Sequence, residues 1–160
     1  MTFTRVFNEY SKTLYNYLYY KCGDANLSED LTQEAFMKLW QNCREVNFET
    51  AKGYIFKTAN NKMLNQFSHQ KVKLKFQQKK HISHTNESPS FLLEEKELHE
   101  ELERVISNLP EKQRITFLMS RIDKKTYKEI AEILEISKQA VEKRIYKALD
   151  TLRKVNKNIK

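Results

Sequence analysis

Apolar positions recur along the chain with a period of about 3.6 residues, the spacing that places one side of an α-helix against a core. Two glycines and two prolines in 160 residues leave few positions for tight turns, so the helices should be long. The pattern therefore predicts an all-α protein. The apolar stripes comprise Phe3, Phe7, Tyr10, Leu14, Tyr17 and Leu18, then Leu31, Ala35, Phe36, Leu39 and Trp40, then Ile55, Phe56, Ala59, Met63 and Phe67, and later Leu98, Leu102, Val105 and Ile106.

The C-terminal part of the chain carries a helix-turn-helix pattern. Thr126 and Glu129 have the spacing of a capping box, in which each side chain accepts a hydrogen bond from the other residue's backbone N–H. A short helix should therefore begin there and end at the turn Glu135–Ser137, where Ser137 can cap the next helix. A short helix, a three-residue turn and a longer basic helix are the arrangement that reads duplex DNA in such proteins. Glu135 stands at the turn position that glycine usually holds, and must adopt a less comfortable backbone conformation.

The helix after this turn should have one apolar and one polar face. Arg144 lies at the boundary between them, where a long cation can reach a phosphate. A charged helix alone is more often the solvated face of a helical bundle, but capping box, turn and basic helix together favour DNA recognition. The apolar positions are Val141, Ile145, Ala148, Leu149 and Leu152, and the outward polar positions are Gln139, Lys143, Tyr146 and Lys147.

The net charge of +8 is unevenly distributed along the chain. It is −2 over residues 1–50, +8 over residues 51–86, −5 over residues 87–110 and +7 over residues 111–160. Two separate basic blocks predict two separate contacts with a nucleic acid, with an acidic segment between them.

Residues 72–92 are polar and carry no lasting apolar stripe, so the sequence predicts a flexible linker there. The linker divides the chain into two helical domains, residues 1–71 and residues 93–160, each near the lower limit for a self-sufficient core. In the second domain, Leu109-Pro110-Glu111 is a helix-start signal, with proline expected at the first helical position.

Two helices of the first domain carry notable polar side chains. Asp30, Gln33 and Glu34 form one exposed arc on a predicted helix. The arc could dock a basic partner, or its acidic groups could only complement the helix dipole. The spacing alone favours the dipole interpretation. A helix predicted from Lys52 to His69 is unusually rich in amides, and amides with lysines suit hydrogen bonding to bases and phosphates. Its polar positions are Lys57, Asn60, Asn61, Lys62, Asn65 and Gln66.

Several kinds of site are not expected. No apolar stretch approaches the roughly 20 residues that span a bilayer, and the N-terminus lacks a signal-peptide core, so we expect a cytoplasmic protein. Cys22 and Cys43 have no CxxC partner and should be ordinary thiols. His81 and His84 lack further residues that would complete a metal site. With no phosphate-binding loop, nucleophile elbow or carboxylate dyad, neither a cofactor nor an enzyme activity is expected.

In this order, the motifs resemble those of a bacterial RNA polymerase sigma factor of the compact extracytoplasmic-function group. The likeness covers nearly the whole chain and ends in the helix-turn-helix. The residues that carry it are Glu29-Asp30-Leu31-Thr32-Gln33-Glu34-Ala35-Phe36 with Leu39-Trp40, then Tyr54-Ile55-Phe56-Lys57-Thr58-Ala59-Asn60-Asn61, and then Leu109-Pro110-Glu111-Lys112-Gln113-Arg114.

The resemblance implies roles for three groups of residues. The first domain, sigma region 2, would bind core polymerase and the −10 promoter element and assist strand separation, and the second domain, sigma region 4, would bind the −35 element. An anti-sigma protein is a probable further partner of such a chain. Asn65 and Ser68 stand where the family often carries Asp and, a turn later, Arg, so the phosphate contact expected there is absent or moved to His69 or Lys71. Glu142 stands where related chains often have a base, so the resemblance carries over no preferred −35 sequence. The implied sites are Asp30, Gln33, Glu34, Phe36 and Trp40 for polymerase, Lys57, Asn60, Asn61, Lys62 and Asn65 for the −10 element, and Ser137, Gln139, Lys143, Arg144, Tyr146 and Lys147 for the −35 element.

Two other functions fit parts of the sequence. A dimeric helix-turn-helix repressor or activator would bind a palindromic operator tightly as the free protein, whereas a sigma factor needs core polymerase. A nucleic-acid-processing enzyme would need a metal or nucleophile constellation, which the sequence does not contain.

Overall fold

The computed structural model describes residues 3–66 and 89–157, and these residues form seven α-helices. This confirms the all-α prediction for the described part of the chain. The helices are α1 (Phe3–Cys22), α2 (Ala25–Gln41), α3 (Phe48–Gln66), α4 (Pro89–Asn108), α5 (Glu111–Arg121), α6 (Tyr127–Leu134) and α7 (Lys138–Lys157).

Helices α1, α2 and α3 form an N-terminal unit around one apolar core. Gly23 lies in the short turn between α1 and α2. Its φ of 74° is a left-handed conformation, which glycine adopts readily because it has no Cβ. Asp24 then caps α2 by accepting a hydrogen bond from the Leu27 backbone N–H at 3.0 Å. The core is formed by fully buried side chains that include Leu14, Leu18, Leu31, Leu39 and Ile55.

Helices α5, α6 and α7 form the C-terminal core, and both predicted caps are confirmed. The Thr126 N–H donates to Glu129 Oε2 at 2.7 Å, and the Glu129 N–H donates to Thr126 Oγ1 at 3.3 Å. The Thr126 N–H and the Thr126 hydroxyl both donate to the Glu129 carboxylate and hold the pKa of Glu129 below its usual value. The Ala140 N–H donates to Ser137 Oγ at 3.1 Å, which caps α7. The buried side chains include Leu118, Met119, Ile130, Val141 and Ile145.

Three helix boundaries differ from the sequence prediction. Helix α3 begins at Phe48, one turn before Lys52, because Asn47 caps it: the Thr50 N–H donates to Asn47 Oδ1 at 3.0 Å. The Arg5 guanidinium, 4.1 Å from the Phe48 ring centroid, packs that turn against α1. Pro110 is the cap residue of α5, one position before the first helical residue. Helix α4 begins at Pro89, so residues 89–92 are helical, while residues 72–88 of the predicted linker lie outside the described residues.

The two units are in direct contact, which the sequence did not predict. Helix α1 packs against α5, and the end of α3 nearest Lys52 lies against α6. Both regions of contact join residues far apart in the chain. The Lys52 Nζ donates to the Glu132 carbonyl across a separation of 80 residues, and the Asn16 amide donates to the Asp123 carboxylate across a separation of 107.

We predict that Glu135→Gly stabilises the protein. Glu135 ends α6 in the left-handed conformation, with φ 53° and ψ 45°. Relief of this backbone strain should raise the free energy of unfolding by about 0.5–1 kcal/mol after the greater unfolded-state entropy of glycine is subtracted. Chemical denaturation by urea would measure the change.

The matched control is Glu132→Gly, the same replacement at an exposed position inside α6. It should lower the free energy of unfolding by about 1 kcal/mol, because glycine is a poor residue for a helix interior. Equal losses in both variants would show that Glu135 carries no backbone strain.

Candidate nucleic-acid and partner interfaces

Helix α7 presents its polar side outward, as its periodicity predicts. Val141, Ile145 and Ala148 are buried against α5 and α6, and Arg144 is half-buried at the boundary of the two faces. Tyr146 is 67% exposed, which is unusual for an aromatic side chain without a partner surface. The exposed side chains form what we call the recognition face: Ser137, Gln139, Lys143, Tyr146 and Lys147, with Arg144 at its edge.

A cleft of about 530 Å³ extends this face onto the first turn of α5. Lys112 and Gln113 line it beside Lys143, Arg144 and Lys147. Glu111 also lines the cleft, but its single carboxylate faces four cations, Lys112, Lys143, Arg144 and Lys147, and the positive end of the α5 dipole adds to their charge. The cleft therefore favours an anionic group such as a phosphate. Sequence analysis missed Lys112, although the helix start at Leu109-Pro110-Glu111 already placed it in a first turn.

The residues of α3 that are predicted to bind nucleic acid fall into two groups, exposed and inward-facing. Lys57, Asn61 and Asn65 are exposed. Asn60 instead turns inward, where its Oδ1 accepts hydrogen bonds from the Tyr17 hydroxyl at 3.1 Å and from the Lys21 Nζ at 2.7 Å. The exposed group is therefore free to contact a ligand in this arrangement, whereas Asn60 must first exchange these bonds.

The residues predicted to bind polymerase on α2 also differ in exposure. Asp30 and Gln33 are exposed, and Glu34 is partly buried in an ion pair with Lys62, a residue predicted to contact DNA. Trp40 is 61% exposed. Phe36 is only 3% exposed, so it supports the surface from beneath rather than forming it.

Around Trp40 lies an exposed aromatic patch that extends onto α1. The Phe3 ring meets Trp40 edge to face, with centroids 5.1 Å apart, and Phe7 meets Phe36 at 5.0 Å. Phe7 is 44% and Met37 is 61% exposed. The sequence analysis assigned Phe3 and Phe7 to the core and did not single out Met37, because helical periodicity does not reveal which edge of an apolar stripe remains uncovered.

Within the described ranges, no group of three His, Cys, Asp or Glu residues is placed to hold a metal ion, and no helix is long and apolar enough to cross a bilayer. Cys22 is buried and Cys43 is half-buried, and both are free thiols. His81 and His84 lie outside the described residues.

Comparison with known protein families identifies both units. The family described as Sigma-70 region 2 matches residues 6–72, and the family described as Sigma-70, region 4 matches residues 99–152. The chain belongs to the sigma-70 family. It is 24% identical over 156 residues to the ECF RNA polymerase sigma factor SigM of Bacillus subtilis (strain 168), an alignment that covers 96% of this chain and 94% of that protein. The prediction of an extracytoplasmic-function sigma factor is thereby confirmed.

Among solved structures, this sigma factor is similar to a chain in a structure of the RsbN-BldN complex, with 20% sequence identity and a TM-score of 0.34. The alignment covers 96% of this chain and 91% of that chain. A TM-score this low carries no argument about the arrangement of the two units.

We predict different effects on stability for two neighbouring aromatic residues of the sigma factor. Phe36→Ala should lower the free energy of unfolding by about 3–5 kcal/mol, because it removes a buried ring and leaves a cavity. Trp40→Ala should lower it by about 1 kcal/mol or less, because most of that ring is already in water. Urea denaturation of both variants tests the distinction, and similar losses would contradict the assignment of Trp40 to a surface.

Proposed function

We propose that this sigma factor directs promoter-specific transcription initiation through three surfaces that it presents to different partners. The recognition face of α7 binds the −35 element, the exposed side of α3 binds the −10 element as its strands separate, and α2 with the aromatic patch binds core RNA polymerase. The observation that carries the proposal is the recognition face, in which basic and amide side chains lie opposite a buried apolar face on the second helix of a capped helix-turn-helix.

At the −35 element, the arrangement separates contacts to bases from contacts to phosphates. Gln139, Lys143, Tyr146 and Lys147 project from the middle of the exposed face, where they can reach base edges in the major groove. Arg144 lies at the edge beside Lys112, in the cleft that suits a phosphate. Ser137 has its hydroxyl engaged in capping α7, so its contribution is to set the position of the helix.

At the −10 element, α3 offers lysines and amides on one exposed side. Lys57 provides charge for the phosphates, and Asn61 and Asn65 provide paired donors and acceptors for base edges or for unstacked bases. Asn60 and Lys62 would join them only after leaving their contacts with Lys21 and Glu34.

At the interface with polymerase, Asp30 and Gln33 make the polar contacts, and the Trp40 ring contributes the apolar surface. An exposed indole beside carboxylate and amide groups is typical of an interface centre with a polar rim. Phe36 holds the aromatic patch in position, and Glu34 acts on both surfaces through its ion pair with Lys62.

In this proposal the chain selects the promoter, and core polymerase carries out nucleotidyl transfer, so the chain is not itself an enzyme and needs no cofactor. Its place of action is the cytoplasm, where core polymerase and promoter DNA are found. We also propose an anti-sigma protein as a further partner, on the basis of the family alone; the exposed aromatic patch would suit it as well as polymerase.

We predict that the chain, added to purified bacterial core polymerase, gives promoter-specific run-off transcripts. The double variant Asp30→Ala with Gln33→Ala should lose them, because polymerase docking loses its polar contacts. A control with Glu9→Ala and Lys12→Ala, two exposed residues three positions apart on α1, should transcribe normally. Tight operator binding by the free chain, with no transcripts after core polymerase is added, would instead establish the repressor or activator function.

We predict that Lys143→Ala and Arg144→Ala weaken −35-dependent binding of the holoenzyme in different ways. Loss of a base contact at Lys143 should cost about 1–3 kcal/mol and relax the preference at one base pair. Loss of a phosphate contact at Arg144 should weaken binding to every sequence and reduce the salt slope by about one. Binding titrations at several salt concentrations measure both effects.

The control for this pair is Lys154→Ala, which removes a charge from α7 outside the recognition face, where Lys154 pairs with Asp150. Its promoter affinity should remain close to that of the wild type. If all three variants behaved alike, general charge and not the recognition face would account for DNA binding.

A further inference from the structure

A carboxylate lies among the side chains that we assign to the −35 element. Glu142 is exposed and is the fifth residue of α7, in the part of a recognition helix that enters the major groove. Gln139 and Tyr146 are three and four positions away, so both are its neighbours on the helix surface. When Gln139 and Tyr146 approach the base edges of a duplex, Glu142 approaches them as well.

The charge on this side of α7 is divided between two flanks. Lys143, Arg144 and Lys147 line the cleft beside Lys112, and they make the flank toward α5 cationic. Successive residues of an α-helix are about 100° apart, so Glu142 and Lys143 project to opposite sides of the middle of the face. The flank toward α5 therefore attracts phosphates, whereas the flank of Glu142 repels them.

The Glu142 carboxylate keeps its capacity to accept hydrogen bonds. Its ion-pair partner is Lys138, whose Nζ lies 3.8 Å from Glu142 Oε1, farther than a hydrogen bond allows. The Glu142 side chain is 50% exposed and that of Lys138 is 63% exposed, and ion pairs in water at this level contribute little. A hydrogen-bond donor on the DNA can therefore take the place of Lys138 without a large loss.

The major groove offers few donors to a carboxylate. An ionised carboxylate accepts hydrogen bonds and donates none. Guanine presents the acceptors N7 and O6, thymine presents the acceptor O4, and adenine presents the acceptor N7 beside its N6 amino group. Cytosine presents its N4 amino group and no acceptor. Among the four bases, cytosine is therefore the one that attracts a carboxylate without also repelling it.

We propose that Glu142 is a specificity-determining residue, which selects a cytosine in the −35 element by accepting a hydrogen bond from the cytosine N4 amino group. This inference rests on the proposed function, because it requires α7 to lie in the major groove of that element.

The two flanks then divide affinity from selectivity. The cationic flank binds the phosphates of every sequence, which gives affinity without base preference. Glu142 weakens the binding of sequences that place an acceptor before it, and rejection of the wrong partner is an effective source of specificity.

Binding of a promoter library to the holoenzyme tests this role. The probe is a promoter fragment from which the wild-type holoenzyme gives run-off transcripts, randomised around −35 over about ten base pairs, one turn of the duplex. Bound molecules are sequenced. At one position the wild type should prefer cytosine over each other base by about tenfold. Glu142→Ala should reduce this preference to about twofold or less, because it removes the acceptor.

Glu142→Gln gives the sharper result, because glutamine has the same length but forms paired hydrogen bonds with N6 and N7 of adenine. The preference at the same position should change from cytosine to adenine. Both substitutions are at an exposed site, so the fold of α7 is retained.

Asp150→Asn is the matched control. Asp150 also lies on α7, its side chain is 48% exposed, and it pairs with the lysine four positions later, as Lys138 pairs with Glu142. It is eight residues beyond Glu142, which is about 12 Å along the helix. The control removes the same charge and should keep every base preference of the wild type.

The results separate this inference from the proposed function. A wild type that enriches a −35 sequence shared by both Glu142 variants would overturn the role of Glu142 alone. A Glu142-dependent preference for a base other than cytosine, or an equal change in the Asp150→Asn control, would overturn it as well. A wild type that enriches no sequence around −35 would instead refute the proposed binding of that element, and the inference with it.

Discussion

The burial of the Arg114 guanidinium constrains both units of this structure at once. Removing a cation from water is costly, and burial accordingly lowers the pKa of Arg114 from its usual value. Four carbonyl oxygens offset this cost, and they come from the end of α4, from Leu109 just after it, and from the C-terminal end of α1. One side chain therefore fixes the start of α5 within its own unit and also determines where α1 can lie against it.

The orientation of the recognition face depends on several local contacts, beginning with the packing of α7 against α5. The capping box starts α6 at a defined residue, and the left-handed conformation of Glu135 turns the backbone within three residues into the capped start of α7. Val141, Ile145 and Ala148 then bury the inner side of α7, so the rotation of the helix is fixed.

The surfaces proposed for polymerase and DNA are coupled through shared contacts. Glu34 on α2 pairs with Lys62 on α3, and Asn60 accepts a hydrogen bond from Lys21, the residue whose carbonyl binds Arg114. A partner that moves a side chain on one of these surfaces therefore alters a contact shared with the neighbouring surface, because one or two hydrogen bonds join them.

The sequence by itself determined the helices apart from three of their boundaries, the caps at Thr126 and Ser137, the strain at Glu135 and the outward side of α7, because each depends on residues within one or two turns of helix. It also identified the family, since the motifs lie in order along the chain. It did not reveal that Phe36 is buried while Trp40 is exposed, that Asn60 turns inward, or that Arg114 and Asp123 join the two units. Those features arise from contacts between residues tens of positions apart, and only the packing of α1 against α2, α3 and α5 decides them.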